Sequence, residues 1–129
     1  MSERENGRVG GDAAVRRWIE GYVRAWRSND AGDIRALFAE DAEYRTDPWV
    51  EPWRGADAIV AAWIARGDEQ HTWEFSWDVA GVDGDRGFVQ GVTTYANGTV
   101  YSNLWVIDLA ADGRAHRFVE WWMDQASPS

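Results

Sequence analysis

The sequence predicts an α+β domain: three helices packed on a curved antiparallel sheet that closes around a pocket rich in aromatic side chains. Three observations carry this expectation. Helical periodicity is confined to the first half of the chain. Three hairpin dipeptides, Asp83-Gly84, Asn97-Gly98 and Asp112-Gly113, punctuate the second half at nearly even spacing. Helices that precede a run of strands give segregated layers rather than alternating βαβ units. A chain of 129 residues fits one domain, and 45% apolar residues with ten tryptophans can supply its core.

Residues 1–11 (MSERENGRVGG) carry no apolar period and read as a flexible lead, with the domain proper expected over residues 12–126. Asp12 is suited to cap a helix in which Val15, Trp18, Ile19, Tyr22, Val23 and Trp26 recur on one face. Ser28-Asn29-Asp30 breaks it, and a short second helix is expected to carry Ile34, Leu37 and Phe38. Ala42, Tyr44 and Thr46 alternate with charged residues, as a short strand would. PWVEPWRG, residues 48–55, reads as a loop because two prolines and a glycine resist regular pairing. A third helix is expected over Ala56 to Arg66, with Ile59, Val60, Trp63 and Ile64 apolar and Gly67 as its stop. Four strand-like segments follow, at residues 71–82, 86–96, 99–110 and 115–124. They predict a four-stranded meander, with the early strand added at an edge.

In the last segment Phe118, Glu120 and Trp122 share one face, and Val119, Trp121 and Met123 share the other. Both faces are largely apolar, so a second copy of the chain is expected to cover the outer one and form a homodimer. Acidic residues outnumber basic ones 22 to 13, for a formal charge of -9. That balance argues against nucleic acid and against an anionic membrane as partners, since both require a cationic footprint. The chain lacks cysteine, which removes thiolate chemistry and cysteine-based zinc sites. No apolar run reaches the ~20 residues of a membrane-spanning helix, and a cytoplasmic location is expected. His71 and His116 each open a strand without a helical His/Asp/Glu partner, so no metal is expected. No phosphate loop or serine elbow is present, and no cofactor is expected.

GYVRAWRSNDAGDIRALFAEDA (residues 21–42), TDPWVEP (46–52), RGADAI (54–59), SNLWVIDLAADGR (102–114) and FVEWWMD (118–124) resemble the nuclear transport factor 2-like superfamily. Its SnoaL-like polyketide cyclases, ketosteroid isomerases and limonene epoxide hydrolases share a conical, cystatin-like fold. The resemblance covers nearly the whole chain after Gly11 and bears on fold more than on activity, because this fold hosts many chemistries. The isomerase pattern implies a general base at Asp47, an aromatic hydroxyl at Tyr22 and a second oxyanion donor at Asn103, where the family uses a protonated Asp. The epoxide-hydrolase pattern touches Tyr44, Thr46 and Glu120. The strand that should carry its Arg and Asp reads VQGVTT, so that chemistry is not expected.

Read from the residues alone, Asp47 is either a general base or a loop carboxylate satisfying nearby backbone N–H groups. Tyr22 is either a pocket hydroxyl or a core tyrosine. Glu120 sits on a strand face that otherwise looks buried, so it either lines the pocket, where it or Asp47 is the proton acceptor, or it pairs with an arginine such as Arg45 or Arg117 or faces a water-filled mouth. Trp63, Trp105, Phe118 and Trp122, with Tyr44, are candidate walls; Trp49 and Trp53, in the Pro-rich loop, are candidates for a rim or lid. The expected ligand is a small hydrophobic molecule. Three functions stay open: an isomerase or cyclase working by proton transfer, a non-catalytic binding module, and a dimerisation module whose pocket is self-filled.

Overall fold

The computed structural model describes residues 3–66 and 72–126, with side chains from residue 11 onward. The elements run α1 (Glu3–Ser28), α2 (Ala31–Arg35), β1 (Phe38–Arg45), β2 (Trp53–Arg54), α3 (Ala56–Arg66), β3 (Trp73–Asp83), β4 (Arg86–Tyr95), β5 (Val100–Leu109) and β6 (Ala115–Asp124). One six-stranded sheet has the order β2-β1-β6-β5-β4-β3, with the helices on its inner face. The fold is the expected α+β one, and the meander β3 to β6 is antiparallel throughout.

The sheet as a whole is mixed, because β1 runs parallel to β6. A parallel neighbour needs a long crossover, and α3 with the meander supplies it. The early strand is also not the edge. Trp53 and Arg54 leave the presumed loop to pair with Tyr44 and Glu43, so the two-residue β2 occupies that position.

Helix α1 begins at Glu3, where an irregular lead was expected. Its Glu and Arg residues favour the extension, against about 1 kcal/mol for each of Gly7, Gly10 and Gly11. Asp12 therefore lies inside the helix and caps nothing; its carboxylate accepts from Arg16 Nε at 2.9 Å, one turn on. The helix stops where Asn29 takes a positive φ of 52° and its N–H reaches Ala25 O at 2.8 Å. Asp30 then caps α2 by accepting from Asp33 N at 3.0 Å. Helix α2 ends at Arg35, shorter than expected, and Phe38 opens β1 instead. Helix α3 has the expected bounds, but Ile64 faces outward and Gly67 and His71 lie outside the described residues.

The expected stripe on α1 is the core. Val15, Trp18, Ile19, Tyr22 and Trp26 are buried, and Val23 is partly buried. Trp18 packs on Phe38, Trp105 and Phe118, and its indole N–H donates to Leu37 O at 2.8 Å. Each such side chain contributes roughly 1.5–3 kcal/mol of burial free energy. The three hairpin glycines Gly84, Gly98 and Gly113 all have φ between 61° and 94°, the conformation their turns demand. On the outer face, the cross-strand row Phe88, Val106 and Val119 is apolar, while Trp121 and Met123 are 41% and 68% exposed.

Candidate functional site

Strand alternation divides the inner face of the sheet lengthwise. Val89, Trp105, Ile107 and Phe118 meet α1 and close the core. Beyond them Thr93, Tyr95, Tyr101, Asn103, Glu120 and Trp122 face a cavity of about 200 Å³. Helix α1 contributes Tyr22 and Trp26 to it, β1 and β2 contribute Tyr44 and Trp53, and α3 contributes Trp63 and Arg66. Tyr22, Tyr44, Thr93 and Asn103 are buried, whereas Trp122 and Arg66 are exposed, so the former set lies deep and the latter forms the rim.

The register explains how one carboxylate comes to lie there. Glu120 is paired with Trp105 on β5, and its neighbours Phe118 and Trp122 share its face. Two tyrosines among the described residues donate to it. Tyr44 donates its hydroxyl to Glu120 Oε1 at 2.5 Å, Tyr22 donates to Oε2 at 3.3 Å, and the two hydroxyl oxygens lie 2.9 Å apart. Arg45, one of the two arginines expected as partners of Glu120, turns instead to Glu43. Burial first, then the charge of Glu120, then Tyr22, hold the Tyr44 phenol well above its ordinary pKa, so it remains a proton-bearing donor. Deeper along β4 and β5, Thr93 Oγ1 donates to Asn103 Oδ1 at 2.8 Å. With its carbonyl so occupied, the NH2 is the group Asn103 has left to donate on the cavity wall.

Three of the four expected chemical residues, Tyr22, Asn103 and Glu120, therefore line one cavity. Asp47 does not line it. Tyr44 points inward and Arg45 ends the strand, so Asp47 falls in the β1–β2 loop, where Thr46 Oγ1 donates to its carboxylate at 3.3 Å. Of the expected walls, Tyr44, Trp53, Trp63 and Trp122 line the cavity. Trp105 and Phe118 sit beneath it, fully buried in the aromatic core, and Trp49 is 81% exposed in its loop and lines nothing. The residues not anticipated are Trp26, Arg66, Thr93, Tyr95 and Tyr101. The sequence did hold a signal for Thr93 and Tyr95, because alternation from Val89 places both on the inner face. Arg66 had none beyond being the last residue of α3.

Glu120 is the only carboxylate lining the cavity among the described residues, which assemble no group of three His, Asp or Glu side chains fit to hold a metal. No helix among them is long and apolar enough to cross a membrane.

Residues 15–121 match the family model described as the SnoaL-like domain. Among curated protein sequences none matches the chain. Several solved structures share the fold. An NTF-2 like protein of unknown function from Burkholderia xenovorans superimposes with a TM-score of 0.72 at 14% identity, over 92% of this chain and 89% of that one. A ketosteroid isomerase-like protein from Erwinia carotovora gives 0.61 at 18% identity, over 90% and 96%. A cystatin-like-fold protein from Silicibacter pomeroyi gives 0.65 at 18% identity, over 84% and 75%. Identities this low speak for the fold alone.

Proposed function

This chain belongs to the SnoaL-like domain family, and on that premise we propose that it binds a small, largely apolar molecule and moves a proton on it with Glu120. The observation that carries the reading is the Tyr22–Tyr44–Glu120 cluster on the cavity wall. A carboxylate set among aromatic rings, with hydroxyl and amide donors beside it, suits proton removal next to a carbonyl. In this reading Glu120 takes the proton and the Asn103 NH2 receives the charge developing on oxygen; the Tyr22 hydroxyl, whose one proton is given to Glu120 in the resting site, turns to that oxygen as Glu120 is neutralised. The base role passes from Asp47 to Glu120, because a base must reach its proton at hydrogen-bonding distance.

Size limits the substrate. About 200 Å³ is less than the ~300 Å³ of sites that take drug-sized molecules. It exceeds the ~150 Å³ that encloses benzene. One ring fits inside; a four-ring steroid does not. The test is solvent deuterium exchange at the carbon next to the carbonyl of cyclohexanone, followed by NMR. The wild-type protein should accelerate exchange and Glu120→Gln should abolish the acceleration. Binding of cyclohexanone without exchange in the wild-type protein would move the reading to a non-catalytic binding module. We further propose that the outer face around Trp121 and Met123 is covered by a second copy of the chain, because both side chains are substantially exposed beside Val92 and the apolar row Phe88, Val106 and Val119.

A further inference from the structure

At the rim of the cavity the Arg66 guanidinium lies 5.3 Å from the centre of the Trp53 ring and 5.6 Å from that of Trp122. Two indoles, one on β2 and one on β6 with only β1 between them, thus hold a single cation in place. Its position in the last turn of α3 adds the favourable field of the helix C-terminus. No carboxylate among the described residues lies within 4.0 Å of it. Seven other arginines among the described residues each lie within 4.0 Å of a carboxylate; Arg17, Arg24 and Arg117 do not, but none of those three lines the cavity. Arg66 has no such partner among the described residues, yet it lines the cavity. Aromatic faces hold a guanidinium without using its N–H groups, which stay available in the plane for a bidentate acceptor.

We propose that the cavity selects a small monocarboxylate: a single-ring acid whose ring lies over the Tyr22–Tyr44–Glu120 floor and whose carboxylate is bound by Arg66 at the rim. The inference rests on the small-molecule reading above and adds the charge of the ligand to it. The orientation follows from the two charges. The ligand's carboxylate cannot share the floor with Glu120 without like-charge repulsion, and the only cation lining the cavity among the described residues is at its mouth. The size follows from the volume. Scaling from the ~150 Å³ that holds benzene, about 200 Å³ takes roughly eight non-hydrogen atoms, a ring with a short side arm, leaving the carboxylate outside at the rim. A net charge of -9 slows the approach of any anion, so selection must come from this local contact rather than from long-range steering.

The test titrates the protein with three probes of nearly equal shape, phenylacetate, phenylacetamide and phenethylamine, followed by quenching of tryptophan fluorescence. Phenylacetate should bind about tenfold tighter than the amide, the size of effect a charge-assisted hydrogen-bond pair gives at an accessible site. Arg66→Gln should bring the acid and the amide to near parity by weakening the acid alone. Salt near ~1 M, where the Debye length is about 3 Å, should narrow the preference in the wild-type protein. Equal binding of acid and amide, tightest binding of the amine, or equal weakening of both probes in Arg66→Gln would each overturn the carboxylate assignment. Acceleration of cyclohexanone exchange with any of those results leaves the proton-transfer reading standing and removes only this inference. If none of the three probes binds, the single-ring ligand reading falls and this inference falls with it.

Discussion

The Tyr44 hydroxyl can be removed with little change in shape by Tyr44→Phe, and the structure sets the sign of the consequence at every pH. Tyr44 is buried, donates to Glu120 at 2.5 Å and lies 2.9 Å from the Tyr22 hydroxyl oxygen. Near neutral pH the variant should lose about 1–2 kcal/mol, the worth of a hydrogen bond to a charged group less the relief of burying no hydroxyl. In alkali the comparison reverses. Burial, Glu120 and Tyr22 raise the phenol's pKa in the folded protein above its unfolded value near 10. Above pH ~10 the unfolded chain releases that proton and the folded one retains it, so the unfolded state binds fewer protons and wild-type stability falls as pH rises. The loss is about tenfold in the folding constant per pH unit, until the folded-state pKa is reached. Phenylalanine has no such proton. The chain has no lysine, all 13 basic residues being arginine, so few other groups titrate between pH 9 and 12 to obscure the difference. Urea unfolding followed by circular dichroism at steps from pH 8 to ~11.5 should show the wild type ahead at first, the two curves converging past pH ~10 and meeting near pH ~11. Parallel curves across that range would refute the argument, because they would mean that Tyr44 ionises as readily folded as unfolded.

Gly87→Ala should destabilise the fold by about 1–3 kcal/mol. Its new Cβ would lie 2.7 and 2.8 Å from the two methyls of Val15, a β-branched side chain with little freedom to yield, and thermal melting would register a fall of about 3–10 °C. Asp47→Asn should leave cyclohexanone exchange unchanged, since Asp47 does not line the cavity; a loss as large as that of Glu120→Gln would return the base role to the loop. Trp121→Glu, at a position 41% exposed on the outer face, should shift the proposed dimer to monomer in sedimentation equilibrium. A wild-type protein already monomeric at high micromolar concentration would dispose of the dimer proposal.

Local chemistry was legible in the sequence wherever a single element decides it. The stripe on α1, the bounds of α3 and the three glycine turns each depend on residues a few places apart, and each has its expected form. Alternation in β6 likewise placed Glu120 on the inner face before any partner was known. What failed depends on pairing across the chain. Trp53 and Arg54 become a strand only because β1 offers an unpaired edge, and proline on either side of a loop says nothing about that. The parallel β1–β6 contact joins residues more than seventy positions apart, and no local pattern encodes its direction. Asp47 was carried into the site by its Asp-Pro context, yet the strand that aims side chains inward ends at Arg45, two residues too soon. The same logic explains Arg66. Its place at the rim is set by α3 crossing the mouth of the sheet between Trp53 and Trp122, an arrangement of three elements. Residues whose role is set by distant pairing are where a sequence reading of this fold is weakest; at the rim that residue is Arg66, whereas Trp53 and Trp122 were marked by their own loop and strand.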